Sequence, residues 1–180
     1  MAGVGGGAVD PVQIGPIAVA EFDAAAAADA AAELMPCCAS KRWISALVSG
    51  RPYARLDRLT AASDDLLARL DWSELEAALA GHPRIGERAT SDGRSDGWSR
   101  QEQAGVADVE DLVRRELATA NRAYEQRFGH VFLICATGLS ADTMLGALRS
   151  RLRNDPVAER EVVRGELTKI VRLRLAKAFR

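Results

Sequence analysis

Along most of the chain, apolar side chains recur at three- and four-residue steps, the spacing that lines one face of an α-helix. Asp23 can cap a helix that runs through the alanines to Leu34 and Met35 and stops at Pro36. Ser40 can cap a second over 41–48, ended by Gly50 and Pro52, and a third covers about 56–70. Asp71 can cap a fourth over 72–80, with Gly81 as its stop signal. Ser99 opens another helix. Val109, Leu112, Val113, Leu117, Ala120 and Tyr124 then mark a long one over about 108–127, and Asn121 falls on the same face. Ser140 caps a helix bearing Met144, Leu145, Leu148 and Leu152. Asp155-Pro156, a cap followed by proline at the first helical position, starts the last, which ends near Ala178. Residues 128–136 break the pattern. They are apolar and rich in β-branched and aromatic types, but a single strand makes no sheet, so an extended segment or distorted helix start is expected. The pattern predicts an all-α, single-domain irregular bundle of about eight helices over 17–180, after a flexible, glycine- and proline-rich tail at 1–16.

Within the last helix, Val163, Leu167, Ile170 and Val171 share a face at 100° per residue. Arg174 falls in the middle of that face and Arg172 opposite it. A guanidinium on an apolar stripe needs a buried partner, either a carboxylate or a bound anion; Arg172 is expected in solvent.

Composition narrows the function. The chain has 180 residues, of which 48% are hydrophobic, 27% charged and only 5% aromatic, with a net charge of -1. No bulk attraction to nucleic acid or to a membrane follows. Residues 149–180 carry ten Arg/Lys against four Asp/Glu, but these lie on the polar sides of amphipathic helices without interleaved aromatics. Nucleic-acid binding is therefore disfavoured. Neither a signal peptide nor a membrane-spanning run is visible. Cys37, Cys38 and Cys135 are odd in number and irregularly spaced, which points to a reducing, cytoplasmic setting. With two separated histidines they form no metal-ligand pattern, so no metal is expected.

The candidate chemistry lies in 81–106. His82 follows a helix stop and precedes Pro83, which restricts it to extended backbone. Its imidazole can exchange a proton near neutrality, or it is a loop histidine with a structural bond. Ser99-x-x-Glu102 fits a capping box. The same helix end also offers free amides and a positive dipole to an anion, with Glu102 able to orient His82 and Gln103 able to pair with a ureide.

Five blocks, in order, resemble the OHCU decarboxylases, the 2-oxo-4-hydroxy-4-carboxy-5-ureidoimidazoline decarboxylases of urate degradation. They are CCASKRW from Cys37 with Arg51-Pro52; HPRIGE from His82; SRQEQAG from Ser99; Asn121-x-x-Tyr124 with Phe128-Gly-x-x-Phe-Leu-Ile-Cys-Ala136; and Arg151-Leu-x-Asn-Asp155 with Arg172-Leu-Arg-Leu175. The resemblance runs from about Phe22 to the end. Thr137 stands where the family often has Arg, His130 where Phe or Tyr is frequent, and 88–98 is an insertion.

The resemblance implies an all-helical enzyme, usually a homodimer without metal or organic cofactor, that forms (S)-allantoin. His82 matches the family's catalytic histidine and Glu102 the glutamate beside it; Arg174 is placed at its late arginine because the helical face turns that residue inward. Pro83, Ser99, Arg100, Gln101 and Gln103 match substrate contacts, as does the backbone of Phe132, Leu133, Ile134, Cys135 and Ala136. No role in the chemistry is expected for the three cysteines. Two other classes stay open: a relative that binds ureides without turnover, and a helical interaction or nucleic-acid module using the basic C-terminal helices.

Overall fold

The computed structural model describes residues 16–79, 82, 84, 85 and 111–180, with only the backbone of 111, 112 and 114. Among these are eight helices: α1 (Val19–Ala24), α2 (Ala27–Leu34), α3 (Lys41–Ser49), α4 (Leu56–Arg69), α5 (Trp72–Leu79), α6 (Asp111–Phe128), α7 (Ala141–Arg151) and α8 (Pro156–Ala178). The all-α expectation holds. The only β pairing among the described residues is an isolated bridge between Ile17 and Phe179, which ties the start of the described chain to its end. Residues 1–15 of the expected tail, the Gly81 stop and the helix opening at Ser99 lie outside the described residues.

Caps fall where short polar side chains can take the orphan amides of a first turn. Ser40 accepts from the Trp43 amide, Asp71 from Glu74, Ser140 from Thr143, and Asp155 from Val157 and Ala158. Asp23 is a correction. It lies inside α1, and its carboxylate accepts instead from the Tyr53 and Ala54 amides. The alanine run is two helices, because Arg51 Nη1 donates to the Phe22 and Ala25 carbonyls and ends α1 there. Alanine propensity favoured one helix; a guanidinium from across the fold decided otherwise.

The buried side chains form two clusters. The larger joins α1–α5 to α8 around Trp43, Leu47, Leu67, Val163 and Leu167; the smaller joins α6 and α7 around Leu117, Tyr124, Met144 and Leu148. The chain passes from one to the other at two places. Leu79 at the end of α5 belongs to the larger cluster and Ile85 to the smaller; Leu133 belongs to the larger and Phe132 to the smaller. The candidate site is built from these two crossings.

Residues 131–136 carry neither helix nor strand. Gly129 lets the chain leave α6 toward them: its φ is +80°, which other residues rarely adopt, and its amide still reaches the Glu125 carbonyl at 2.8 Å.

Candidate active site

His82 closes the open end of α5. Its backbone amide donates to the Leu79 carbonyl at 2.9 Å, and its ring Nδ1 lies 3.1 Å from the Ala78 carbonyl. A carbonyl can only accept, so Nδ1 carries the proton and Nε2 keeps the lone pair. The residue as a whole is half-buried, while Nε2 itself is fully buried with no hydrogen-bond partner among the described residues. Burial pushes the imidazole down from 6.5 to about 4, and the positive charge of Arg174 acts in the same direction. The bond to Ala78 opposes both and loses. At neutral pH His82 is an uncharged base with its acceptor nitrogen sealed from water.

Arg174 is 4% exposed, as the face of α8 required, and its Nη1 donates to the Pro36 carbonyl at 3.3 Å. Arg172 is exposed and pairs with Asp64 at 2.8 Å. Arg174 thus meets the chain at Pro36, just before the Cys37–Trp43 block. Arg174 acts electrostatically on Cys38 as well as on His82. Burial outweighs that effect and raises the Cys38 thiol to about 11, so it stays protonated and chemically inert.

Side chains, not a β-ladder, hold 131–136. Arg151 Nη1 donates to the Leu133 carbonyl at 2.7 Å, with its guanidinium carbon 4.6 Å from the centre of the Phe132 ring. Glu166 accepts from the Cys135 amide at 2.7 Å. Arg151 is held in turn by Glu159, which is fully buried and lies 2.6 Å from Nη2. The same carboxylate accepts from the Tyr124 hydroxyl and from Asn154 Nδ2 at 2.7 Å. Burial, then Glu159, pushes the Tyr124 phenol well up, so it remains a donor. His130 fills an aromatic slot: it is 7% exposed, with ring centres 5.0 Å from Trp72 and 5.4 Å from Tyr124. Thr137 is exposed.

The His82 crossing is tied to α6. Asn121 Nδ2 donates to the Ile85 carbonyl at 3.0 Å, and Arg84 donates to the Glu125 carboxylate from Nε and Nη2. A cavity of about 210 Å³ lies between the end of α5 and the start of the other crossing, lined by Glu76, Leu79, Glu125, Gly129, His130 and Val131. The charge of Arg174 reaches His82, and His130 and Val131, just before 132–136, share this cavity with the end of α5. Pro83, Ser99, Arg100, Gln101, Glu102 and Gln103 lie outside the described residues. Among the described residues, no group of three or more His, Cys, Asp or Glu is placed to hold a metal ion, and no helix is long and apolar enough to cross a membrane.

Sequence reasoning missed Glu159, Glu166 and the Arg84–Glu125 pair as parts of this site. Glu159 was findable. It lies four residues before Val163 on the stripe that turned Arg174 inward, but an acidic residue in a first turn passes for a partner of the helix dipole.

Comparison with known proteins places this architecture. The family profile described as OHCU decarboxylase matches residues 23–176. The chain is 33% identical over 147 residues to the 2-oxo-4-hydroxy-4-carboxy-5-ureidoimidazoline decarboxylase of Amia calva, covering 79% of this chain and 80% of that one. It is 30% identical over 146 residues to the uric acid degradation bifunctional protein TTL of Arabidopsis thaliana, covering 79% of this chain but only 45% of that longer protein. A crystal structure of OHCU decarboxylase in the presence of (S)-allantoin superposes with a TM-score of 0.71 at 27% identity, over 81% of this chain and 95% of that one. With a profile match over most of its length and a one-third-identical relative spanned almost as far, the chain belongs to the OHCU decarboxylase family.

Proposed function

We propose that this chain decarboxylates 2-oxo-4-hydroxy-4-carboxy-5-ureidoimidazoline to (S)-allantoin and carbon dioxide in urate degradation, with His82 as the proton-transfer residue. The observation that carries this reading is the uncharged His82, its Nε2 lone pair buried and within the field of Arg174, in a chain of this family.

The substrate carries its carboxylate on a carbon that also bears a hydroxyl and adjoins a ring C=N. As the carbon–carboxylate bond breaks and carbon dioxide leaves, its electron pair forms a double bond to the neighbouring ring carbon. The C=N pair moves onto nitrogen, which takes up the one proton the overall reaction consumes. The resulting enol becomes the product carbonyl when its hydroxyl proton leaves and the ring carbon is protonated. His82 Nε2 takes the hydroxyl proton and returns it to carbon. The imine is the electron sink, so this chain's groups have to bind, orient and move protons. Arg174 offers positive charge to the substrate anion. The backbone of 132–136, held from behind by Arg151 and Glu166, positions the ureido part. Glu102 fixes the histidine or the hydroxyl, and Pro83 and the Ser99 helix end, with Arg100, Gln101 and Gln103, complete the substrate contacts; these roles rest on the motif. Assembly as a homodimer rests on the family resemblance, and a cytoplasmic setting on three free cysteines. That 17–180 forms one domain rests on the span of the match.

Incubating the protein with freshly generated substrate and following circular dichroism tests the reading. Enantiomerically pure (S)-allantoin, formed faster than by spontaneous decay, is expected. Binding without acceleration would favour a non-catalytic ureide-binding relative.

A further inference from the structure

Both crossings that build the site are anchored to one face of α6. Asn121 is 3% exposed, and its amide donates to the carbonyl of Ile85, three residues beyond His82. Tyr124 is fully buried, and its hydroxyl donates to Glu159, which holds Arg151 on the Leu133 carbonyl. The two side chains are three residues apart, so they stand side by side on the helix. Packing alone asks for neither polar group, since an apolar side chain of similar size would fill the space without being desolvated. The amide instead holds the backbone of one crossing directly, and the phenol holds that of the other through Glu159 and Arg151.

We propose that Asn121 and Tyr124 are positioning residues for the decarboxylation, together setting where His82 stands relative to the 132–136 backbone. The inference rests on the reading of His82 as the proton-transfer residue and of 132–136 as a substrate contact. The two residues act on different steps. Asn121 works through the His82 crossing and so on proton transfer, which is felt in kcat. Tyr124 works through Glu159 and Arg151 on the binding backbone, which is felt in KM.

Steady-state kinetics on the full chain test this, with Asn121→Ala, Tyr124→Phe and Arg151→Lys each made alone and Asn121→Ala also made with His82→Asn. Asn121→Ala is expected to lower kcat about 10-fold or more with KM nearly unchanged, since small displacements of a reacting group are costly. In the His82→Asn background the same change is expected to cost little more, because no proton-transfer residue is left to misplace. Tyr124→Phe and Arg151→Lys are expected to raise KM several-fold and largely spare kcat. Should Asn121→Ala not fold, Glu125→Gln loosens the same crossing at a more exposed pair, and a smaller fall in kcat is expected.

Unchanged kcat in the folded variant, or a loss that multiplies in full with that of His82→Asn, overturns the proposal. A readout without turnover separates this from failure of the functional reading. In ¹⁵N-labelled protein the His82 ring resonances are expected to shift toward those of a solvent-exposed imidazole in Asn121→Ala and to stay in place in Tyr124→Phe. A His82 ring unmoved by Asn121→Ala overturns the positioning role even if the wild type makes no (S)-allantoin. A moved ring in a protein without turnover upholds the anchor and removes the reaction it was assigned to.

Discussion

Glu159→Leu is expected to be among the most destabilising single changes in the described part of this protein. The carboxylate is fully buried and accepts from Arg151 Nε at 2.8 Å, from Asn154 and from Tyr124, with Arg151 Nη2 at 2.6 Å. Removing it leaves a guanidinium that is 8% exposed with its buried counter-charge gone. Breaking such a pair costs about 3–5 kcal/mol, a third or more of the stability of an ordinary domain of roughly 10 kcal/mol. Glu159→Gln keeps the shape and one acceptor and is expected to cost about 2 kcal/mol. The double change Glu159→Leu with Arg151→Met removes both charges. It should recover part of the loss, leaving about 1–3 kcal/mol for the Leu133 carbonyl and the Tyr124 hydroxyl, which no longer have their partners. Urea unfolding of the wild type, Glu159→Leu, Arg151→Met and the double variant gives the coupling energy directly. A cost below about 1 kcal/mol for Glu159→Leu, or a double variant as unstable as the two singles summed, would refute the account of this pair.

The remaining expectations concern pH, thiols and metal. The fold holds His82 near 4 against an ordinary 6.5. Between those values the unfolded chain takes a proton that the folded one refuses, so stability contributed by the neutral imidazole is present above 6.5 and lost as pH falls through 4. That loss amounts to at most about 3 kcal/mol, and it should appear as a steeper acid fall in the wild-type melting temperature than in that of His82→Asn; parallel curves would contradict it. The acid limb of kcat/KM is likewise expected well below pH 6, and a limb centred near 6.5 would show that the imidazole is not buried as described. Replacing Cys37, Cys38 and Cys135 with Ala or Ser is expected to leave turnover per folded molecule within about an order of magnitude, since the Cys38 thiol is protonated at working pH. Complete loss in a folded triple variant would oppose this. Activity is expected to survive dialysis against EDTA, and a tightly bound stoichiometric metal whose removal abolishes turnover would overturn the mechanism.

How far the sequence could be read depended on whether a feature was local. Caps at Ser40, Asp71, Ser140 and Asp155 are decided within one turn, so side-chain type and spacing sufficed. The inward turn of Arg174 and the outward turn of Arg172 followed from helical periodicity alone. What escaped was non-local. The break between α1 and α2 is made by Arg51, more than twenty residues away. The course of 131–136 is decided by Arg151 and Glu166 on two later helices, and nothing within the segment announces them. His82 stood out because histidine is rare here. That it is neutral and presents Nε2 depends on burial and on the Ala78 carbonyl, which spacing does not reveal.

The central claim is that His82 carries the proton transfer in forming (S)-allantoin. The measurement closest to it compares (S)-allantoin formation by wild type and His82→Asn on freshly generated substrate, beside their melting curves. A folded His82→Asn is expected to be slower by about 100-fold or more. A folded variant that keeps a near-wild-type rate would contradict the assignment of this site.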